Sequence, residues 1–413
     1  MFVNPSNIVS RIKKIDMLVN LENGAVVGLD QEGLKFYNEL KQGDYQIAKI
    51  NNESISTLYN FLLENEFISF KPFKNRKKEV LTAYVHLTNK CNLHCVGCYS
   101  LDSNRNVAPD LSYEDLCKAI GDLAEVGVKN LVFSGGEPLF RKDIVELVKF
   151  AKVDCCIEEV VVITNGTINR TDIFNELAIY VDAISVSLDT YSDDCPSFIR
   201  DEGIHNKIIK TIKNLKENNL NVSILPTLHT LNSDNMIDYL KLAAQLNVGI
   251  SFSILSTCET EEFKRFMLSQ SDLKDISDHF LNYGVNMLDS PINNTLEGKN
   301  YCGAGKNMLS VGTNGNIYPC HMLMAEEYCF GNIKEESIQS MLENSPVSKE
   351  FSTYEVNQIN GCSDCTFKYL CGGGCRARAY MLKDDIKVKD PYCILYKNYY
   401  HKLIDRIVIG IET

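Results

Sequence analysis

The strongest constraint on this chain is a sixfold alternation of short β-branched runs with amphipathic helical segments. The predicted strands are Ala83–Thr88, Asn130–Ser134, Glu159–Thr164, Ala183–Leu188, Val222–Thr227 and Ile250–Leu255. Helical periodicity fills the intervals near 112–126, 141–152, 171–179, 205–218 and 233–246. Successive βα units of this kind require a parallel sheet with helices outside it, since parallel strands need long crossovers. Periodicity leaves a barrel-like and an open doubly wound sheet both available. In either, the chemistry belongs at the carboxyl ends of the strands.

The alternation occupies only the middle of a 413-residue chain, which is long enough for two or three domains. Residues 1–75 read as a small separate module. Met17–Leu18–Val19 and Ala25–Val26–Val27 flank Glu22–Asn23–Gly24 as a hairpin would. Helical patterns follow near Gln31–Leu40 and Ile55–Glu64. A basic run, Phe70 to Lys78, holds Lys71, Lys74, Arg76, Lys77 and Lys78 with Pro72 and reads as a solvated linker. The alternating region is assigned to 76–298 and a cysteine-dense region to 299–413. A last helical stretch, Leu395–Ile411, closes the chain.

Hydrophobic content of 45% and charged content of 23% are ordinary for a water-soluble protein. The formal net charge of −12 argues against nucleic acid as the main partner. Met1 to Lys14 lacks the apolar centre of a signal peptide, and runs such as Val160–Ile163 are too short to span a bilayer. No membrane association and a cytoplasmic location are therefore expected. In that reducing setting, 16 cysteines point to metal ligation or catalysis more than to disulfides.

Cys91-x3-Cys95-x2-Cys98 follows the first predicted strand directly. Three thiols so close either converge on one metal centre or are separate core residues. Tetrahedral zinc wants a fourth ligand, and only His94 is adjacent. A four-iron cluster accepts three protein thiolates and leaves one iron open. Further on, Ser134–Gly135–Gly136–Glu137–Pro138 follows the second strand, and alone it reads as a strand-to-helix turn.

The segment Thr88–Asn89–Lys90–Cys91–Asn92–Leu93–His94–Cys95–Val96–Gly97–Cys98–Tyr99 resembles the signature loop of radical S-adenosylmethionine enzymes. The resemblance implies a partial (β/α)6 TIM-like barrel with a 4Fe–4S cluster on Cys91, Cys95 and Cys98 and S-adenosylmethionine on its open iron. Gly97 stands where the family usually has an aromatic residue, and there the backbone contacts the adenine. Gly135, Gly136 and Glu137 match the element that holds the methionyl amino group. Ser185–Val186–Ser187–Leu188–Asp189 resembles the ribose segment, giving Ser187, and Arg200 stands where related maturases hold the methionyl carboxylate.

Beyond residue 300, Cys302-x12-Gly315-x4-Cys320 precedes Cys362-x2-Cys365-x5-Cys371-x3-Cys375 and Cys393. Seven thiols in one glycine-punctuated field exceed the needs of a single zinc. The spacing is similar to that of the SPASM domain, which carries two auxiliary 4Fe–4S clusters, so three clusters are implied in all. The resemblance gives one auxiliary cluster Cys302, Cys320 and Cys375, and the other Cys362, Cys365, Cys371 and Cys393. Sulfatase maturases add a ligand six residues after the first cysteine, where this chain has Met308. Either an iron is open there or Cys329 or Cys258 fills the place. Outside these sets, Cys117, Cys155, Cys156, Cys195, Cys258 and Cys329 read as small apolar fillers.

The N-terminal module is read either as a structural cap or, by its similarity to the winged-helix-like RiPP recognition element, as a leader-peptide binder. A binder of that type takes an extended peptide as an added strand. Together these resemblances imply a peptide maturase, with a cysteine thioether as the expected product and a flavodoxin- or ferredoxin-type protein as reductant. Carbon–carbon cross-linking, epimerisation and formylglycine formation are the rival chemistries, and a non-catalytic iron–sulfur scaffold is the rival class.

Overall fold

The computed structural model describes residues 1–43, 52–74, 79–100, 105–257, 260–287 and 296–412. Arg76, Lys77 and Lys78 of the basic run lie outside the described residues, as does Cys258. The first module runs β1 (Phe2–Val3), β2 (Asn7–Ile12), β3 (Ile15–Asn20), β4 (Val26–Leu29), α1 (Gln31–Gln42), α2 (Glu53–Glu64) and β5 (Ile68–Ser69). Strands β2, β3 and β4 form an antiparallel sheet in that order, with Ile8 opposite Val19 and Leu18 opposite Val27. Asp30 caps α1 by accepting from Gly33 N at 2.7 Å, as a carboxylate does for the unpaired amides of a first turn. β1 pairs with β5 and ties the module's ends together.

β3 is buried along both faces, which changes the reading of this module as separate. Leu18 enters the module's own core beside Phe36, Tyr37 and Leu62. Met17 and Val19 point the opposite way, as strand period dictates. They enter a second core with Phe252, Phe280, Tyr396 and Ile404, contributed by the middle and the end of the chain. Lys13 adds an ion pair to Asp405. The module is docked.

The middle of the chain runs β6 (Thr82–His86), α3 (Tyr113–Glu125), β7 (Asn130–Ser134), α4 (Ile144–Lys149), β8 (Glu159–Thr164), α5 (Thr171–Tyr180), β9 (Ala183–Val186), α6 (His205–Glu217), β10 (Val222–Ile224), β11 (Thr227–Leu228), α7 (Met236–Leu246) and β12 (Gly249–Ile254). All six predicted strands are present and parallel. The fifth is split: Pro226 has no amide hydrogen to continue the ladder, and β11 resumes the pairing with β12 alone. α8 (Glu261–Lys264), α9 (Gln270–Tyr283) and β13 (Asn286–Met287) follow, and β13 adds in parallel to β12. The predicted pattern contained neither α9 nor β13.

The remainder comprises β14 (Met308–Val311), β15 (Asn316–Tyr318), β16 (Gly331–Asn332), α10 (Ile338–Asn344), α11 (Pro346–Thr353), α12 (Lys368–Cys371), α13 (Arg376–Lys383) and α14 (Cys393–Glu412). β14 pairs in parallel with β6, Leu309 opposite Ala83, and β15 and β16 extend the sheet antiparallel. A boundary at residue 298 therefore falls within one continuous sheet. Among the described residues the two ends of that sheet do not pair with each other, so the barrel is partial.

Burying Met17 and Val19 contributes about 1.5–3 kcal/mol each by the area they remove from water. Met17→Ala is expected to lower the urea-unfolding free energy by about 2–4 kcal/mol and to speed amide exchange in α14. Unchanged exchange in α14 would show that the module is not docked through this face.

Candidate active site

The carboxyl ends of the parallel strands surround a cavity of about 1100 Å³. Its lining includes Cys91, Cys95, Gly97 and Cys98 after β6, Gly135 and Gly136 after β7, Asn165 after β8, Ser187 after β9, and Arg200. Each thiol meets a nitrogen donor from a different segment. Asn165 Nδ2 approaches Cys91 Sγ at 3.8 Å, Arg200 Nη1 approaches Cys95 Sγ at 3.5 Å, and Arg105 Nη2 approaches Cys98 Sγ at 3.5 Å. Burial pushes the Cys95 thiol up to about 11, opposed by the Arg200 charge. This donor set fits an anionic iron–sulfur cluster, whose potential depends on such bonds. Asn165 and Arg105 are absent from the sequence-based assignment. The only signals available were a strand-end position for one and a loop position after the triad for the other.

Backbone packing explains the paired glycines. A Cβ on Gly136 would lie 2.2 Å from Lys90 O, and one on Gly135 would lie 2.6 Å from Thr88 O. The cysteine loop rests on this surface: Gly136 N donates to Thr88 O at 2.7 Å and Glu137 N to Lys90 O at 2.8 Å. Gly97 has φ +71° and packs against Leu255, so its backbone faces the cavity without a side chain.

Glu137 lies beneath the two glycines: its side chain is fully buried and its carboxylate accepts from three protein donors. Oε1 accepts from Leu139 N at 3.0 Å and Thr164 Oγ1 at 2.7 Å, while Oε2 accepts from Asn165 N at 2.7 Å. Burial pushes this carboxyl above its usual range, opposed by those three bonds. Glu137 thus joins the ends of β7 and β8 and sets Asn165 against Cys91. Arg200 does line the cavity, but it is already paired with Asp189, whose other oxygen accepts from Thr227 N at 2.7 Å. Burial works against the Arg200 cation, but Asp189 together with the Cys95 and Cys98 sulfurs raises its pKa and holds it charged.

The seven C-terminal cysteines line two spaces. Cys362, Cys365, Cys371 and Cys393 line one of about 370 Å³. Cys302, Cys320 and Cys375 line another of about 1370 Å³, with Met308 in its wall and Cys371 at its border. Cys329 stands outside, its thiol donating to Gly331 O at 3.4 Å, so it does not supply the missing ligand. Burial pushes the Cys375 thiol up to about 12 and Cys393 to about 11. Iron binding must therefore displace protons here. Among the described residues no three His, Cys, Asp or Glu side chains close tightly on a single ion. The fit to a cluster rests on the cavity linings and their donors.

Neighbouring spaces share walls. His321 and Met322 line both the primary cavity and the three-cysteine cavity. His321 stacks on Tyr84 of β6 with ring centroids 3.9 Å apart. Leu21, Glu22, Leu81, Tyr301 and Asn307 line both the three-cysteine cavity and an outer cleft that reaches Pro5 and Ile8 of the first module. On the other side of that module, Val27, Leu58 and Phe61 line a shallow groove between edge strand β4 and α2. Among the described residues no helix is long and apolar enough to cross a membrane.

Comparison with known proteins agrees with this geometry. The radical SAM superfamily profile matches residues 85–243, and an iron–sulfur cluster-binding domain, SPASM, matches 302–366. The chain is 26% identical to the AdoMet-dependent heme synthase of Methanosarcina barkeri, covering 75% of this chain and 94% of that one. It is 26% identical to the mycofactocin maturase MftC of Mycolicibacterium smegmatis (75% and 81%). Identity to the subtilosin biosynthesis protein AlbA of Bacillus subtilis is 27% (71% and 66%). In fold it is similar to anSMEcpe with bound AdoMet, TM-score 0.66 at 16% identity over 80% of this chain and 98% of that one. It is also similar to Streptococcus suis SuiB bound to precursor peptide SuiA, TM-score 0.61 at 17% identity over 95% and 99%.

Two buried imidazoles give this region a pH signature. Burial holds His86 down to about 3 and His229 to about 4, and each leaves Nε2 without a hydrogen-bond partner among the described residues. In the unfolded chain both protonate near 6.5. Between that value and the folded ones the unfolded state binds more protons, so stability falls as pH falls. The urea midpoint of the metal-free protein is expected to drop from pH 7 to pH 5. A His86→Gln/His229→Gln variant should show a visibly shallower drop, and an equal slope would exclude these residues as its source.

Proposed function

Because the chain belongs to the radical SAM superfamily and carries a SPASM iron–sulfur domain, we propose that it matures a ribosomally made peptide, joining a cysteine sulfur to a carbon of another residue. The observation that supports this reading is a row of cavities that share walls, from the N-terminal module, past Cys302, Cys320 and Cys375, to the primary cavity. An extended chain suits such a row, and a compact small molecule has no use for its outer length. The leader is taken up on the other side of the module, where β4 offers an unpaired edge and Val27, Leu58 and Phe61 offer side-chain pockets.

The protein's own groups then have defined tasks. Cys91, Cys95 and Cys98 would hold the primary cluster, with Asn165, Arg200 and Arg105 stabilising their thiolates. When bound, that cluster and S-adenosylmethionine supply 5′-deoxyadenosyl radical chemistry, which belongs to the cofactor. Gly135 and Gly136 leave open backbone for the methionyl end, Ser187 faces the cavity for the ribose, and Gly97 does so for the adenine. Arg200, fixed by Asp189, presents a cation to the methionyl carboxylate. Leu225, Ile254 and Leu255 form an apolar wall that excludes water from the reacting groups.

Cys362, Cys365, Cys371 and Cys393 would hold a closed auxiliary cluster. Cys302, Cys320 and Cys375 would hold one that lacks a fourth thiolate, since Met308 is a weak ligand. A vacancy there suits the thiolate of a substrate cysteine. Sixteen thiols fit a reducing cytoplasm and a flavodoxin- or ferredoxin-type electron donor.

Mass spectrometry of the co-produced precursor is the direct test. Each thioether removes one hydrogen from carbon and one from sulfur, survives reduction and blocks cysteine alkylation. Full alkylation of an otherwise processed peptide would exclude the thioether. Replacing Cys91, Cys95 and Cys98 with Ala should abolish 5′-deoxyadenosine release. Leu58→Asp should weaken leader binding by about tenfold or more, read by anisotropy of the labelled peptide. Undiminished binding would move the leader site off the β4–α2 groove.

A further inference from the structure

One buried ion pair is bonded to residues that line the primary cavity and both cysteine cavities. Arg378 of α13 is 0% exposed at its side chain and Asp390 is 1% exposed. Arg378 Nε donates to Ser256 Oγ at 2.9 Å, and Ser256 lines the primary cavity. Arg378 Nη1 donates to Asp390 Oδ2 at 3.0 Å and to Tyr396 Oη at 2.9 Å. Asp390 lines the four-cysteine cavity. Its Oδ2 also accepts from Cys375 N at 2.6 Å and its Oδ1 from Tyr392 N at 2.8 Å. Cys375 caps α13 and accepts from Arg378 N at 3.4 Å.

The pair is more than a plug. Apolar side chains of similar volume commonly stabilise an interior as well as a buried ion pair does, without its desolvation cost. Moreover, Arg378 Nη2 has no hydrogen-bond partner among the described residues, and the guanidinium lies over the Tyr392 ring, 4.8 Å from its centroid, so the cation is held away from water. Asp390 Oδ2 accepts from both Arg378 Nη1 and Cys375 N, which fixes the guanidinium beside Cys375. In a dry interior a fixed cation beside a metal–thiolate centre stabilises the form carrying the extra electron.

We propose that Arg378, braced by Asp390, is a positioning residue that raises the reduction potential of the cluster held by Cys302, Cys320 and Cys375. This rests on the reading that those cysteines hold a cluster. The consequence is directional: the auxiliary site nearest the primary cavity becomes the more readily reduced for having this cation beside it. Arg378 touches no substrate and acts through the charge it holds.

The test uses the full chain with Cys91, Cys95 and Cys98 replaced by Ala, so that only auxiliary clusters are loaded. Iron content is measured first, and an EPR-monitored potentiometric titration follows. Arg378→Met should lower one auxiliary midpoint, so that at the parent midpoint its reduced-to-oxidised ratio falls about fivefold or more. Asp390→Asn should move the same signal the opposite way, and Arg378→Lys should stay within about twofold of the parent. Opposite signs cannot arise from loosened packing alone. Full iron with unmoved midpoints, or equal shifts from Arg378→Met and Asp390→Asn, overturns the inference while leaving the cluster reading intact. Absence of iron from the parent chain overturns both. If Arg378→Met fails to load, an upward shift in Asp390→Asn still supports the inference and an unmoved midpoint there still overturns it.

Discussion

Strand β6 is paired on both sides in parallel, with β7 and with β14, and the arrangement of every site follows from that pairing. Its carboxyl end releases the loop that carries Cys91, Cys95 and Cys98. Its other neighbour belongs to the region that carries Cys302 and Cys320. Were β6 an edge strand, its free amides and carbonyls would need another cover, and the C-terminal region could hang from a linker. Instead Tyr84 on β6 stacks directly on His321, one residue after Cys320. Hydrogen bonds of one ladder thus fix the spacing between the primary cavity and the nearest auxiliary one.

Buried charges are the second organising element. Glu137, Asp189 and Asp390 are all nearly inaccessible carboxylates, and each is satisfied by donors from separate segments. Glu137 joins β7 to β8; Asp189 joins Arg200 to Thr227; Asp390 joins Arg378, Cys375 and Tyr392. Such groups are expensive to bury and contribute little net stability when paired. What they do provide is a single permitted placement of each donor. That placement matters here because Asn165, held by Glu137, and Arg200, held by Asp189, reach two thiols of one short loop.

Much of this was legible beforehand, and the reasons are local. Strand period and β-branched composition expose β6 to β10 and β12 because both faces of a parallel sheet are apolar. The resemblance divides the seven C-terminal cysteines into two sets, and two cavities are lined by those sets, with Cys371 bordering both. What escaped was non-local. Nothing in Met17 and Val19 tells a strand buried on one face from one buried on both, so docking of the N-terminal module was invisible. β14 is only Met308–Val311, too short for alternation to register. Glu137 could be placed next to the glycines but not beneath them, because a carboxylate that contacts ligand and one that joins two strands have the same sequence.

The same distinction bears on Arg376 and Arg378, two residues apart on α13 and both nearly inaccessible. Arg376 is consumed by carbonyls: its Nη1 donates to Ile386 O at 2.6 Å and Val388 O at 2.7 Å, and its Nη2 to Gly373 O. That is how an arginine closes loops around a cysteine field, and a structural role accounts for it. Arg378 faces a carboxylate, a phenol and a serine hydroxyl. Each arginine keeps one guanidinium nitrogen unmatched among the described residues, Nε in Arg376 and Nη2 in Arg378, so that feature does not separate them. What separates them is the partner: Ser256 lines the primary cavity and Asp390 the four-cysteine cavity, so the charge of Arg378 is held between sites, whereas the carbonyls around Arg376 belong to the loops it closes.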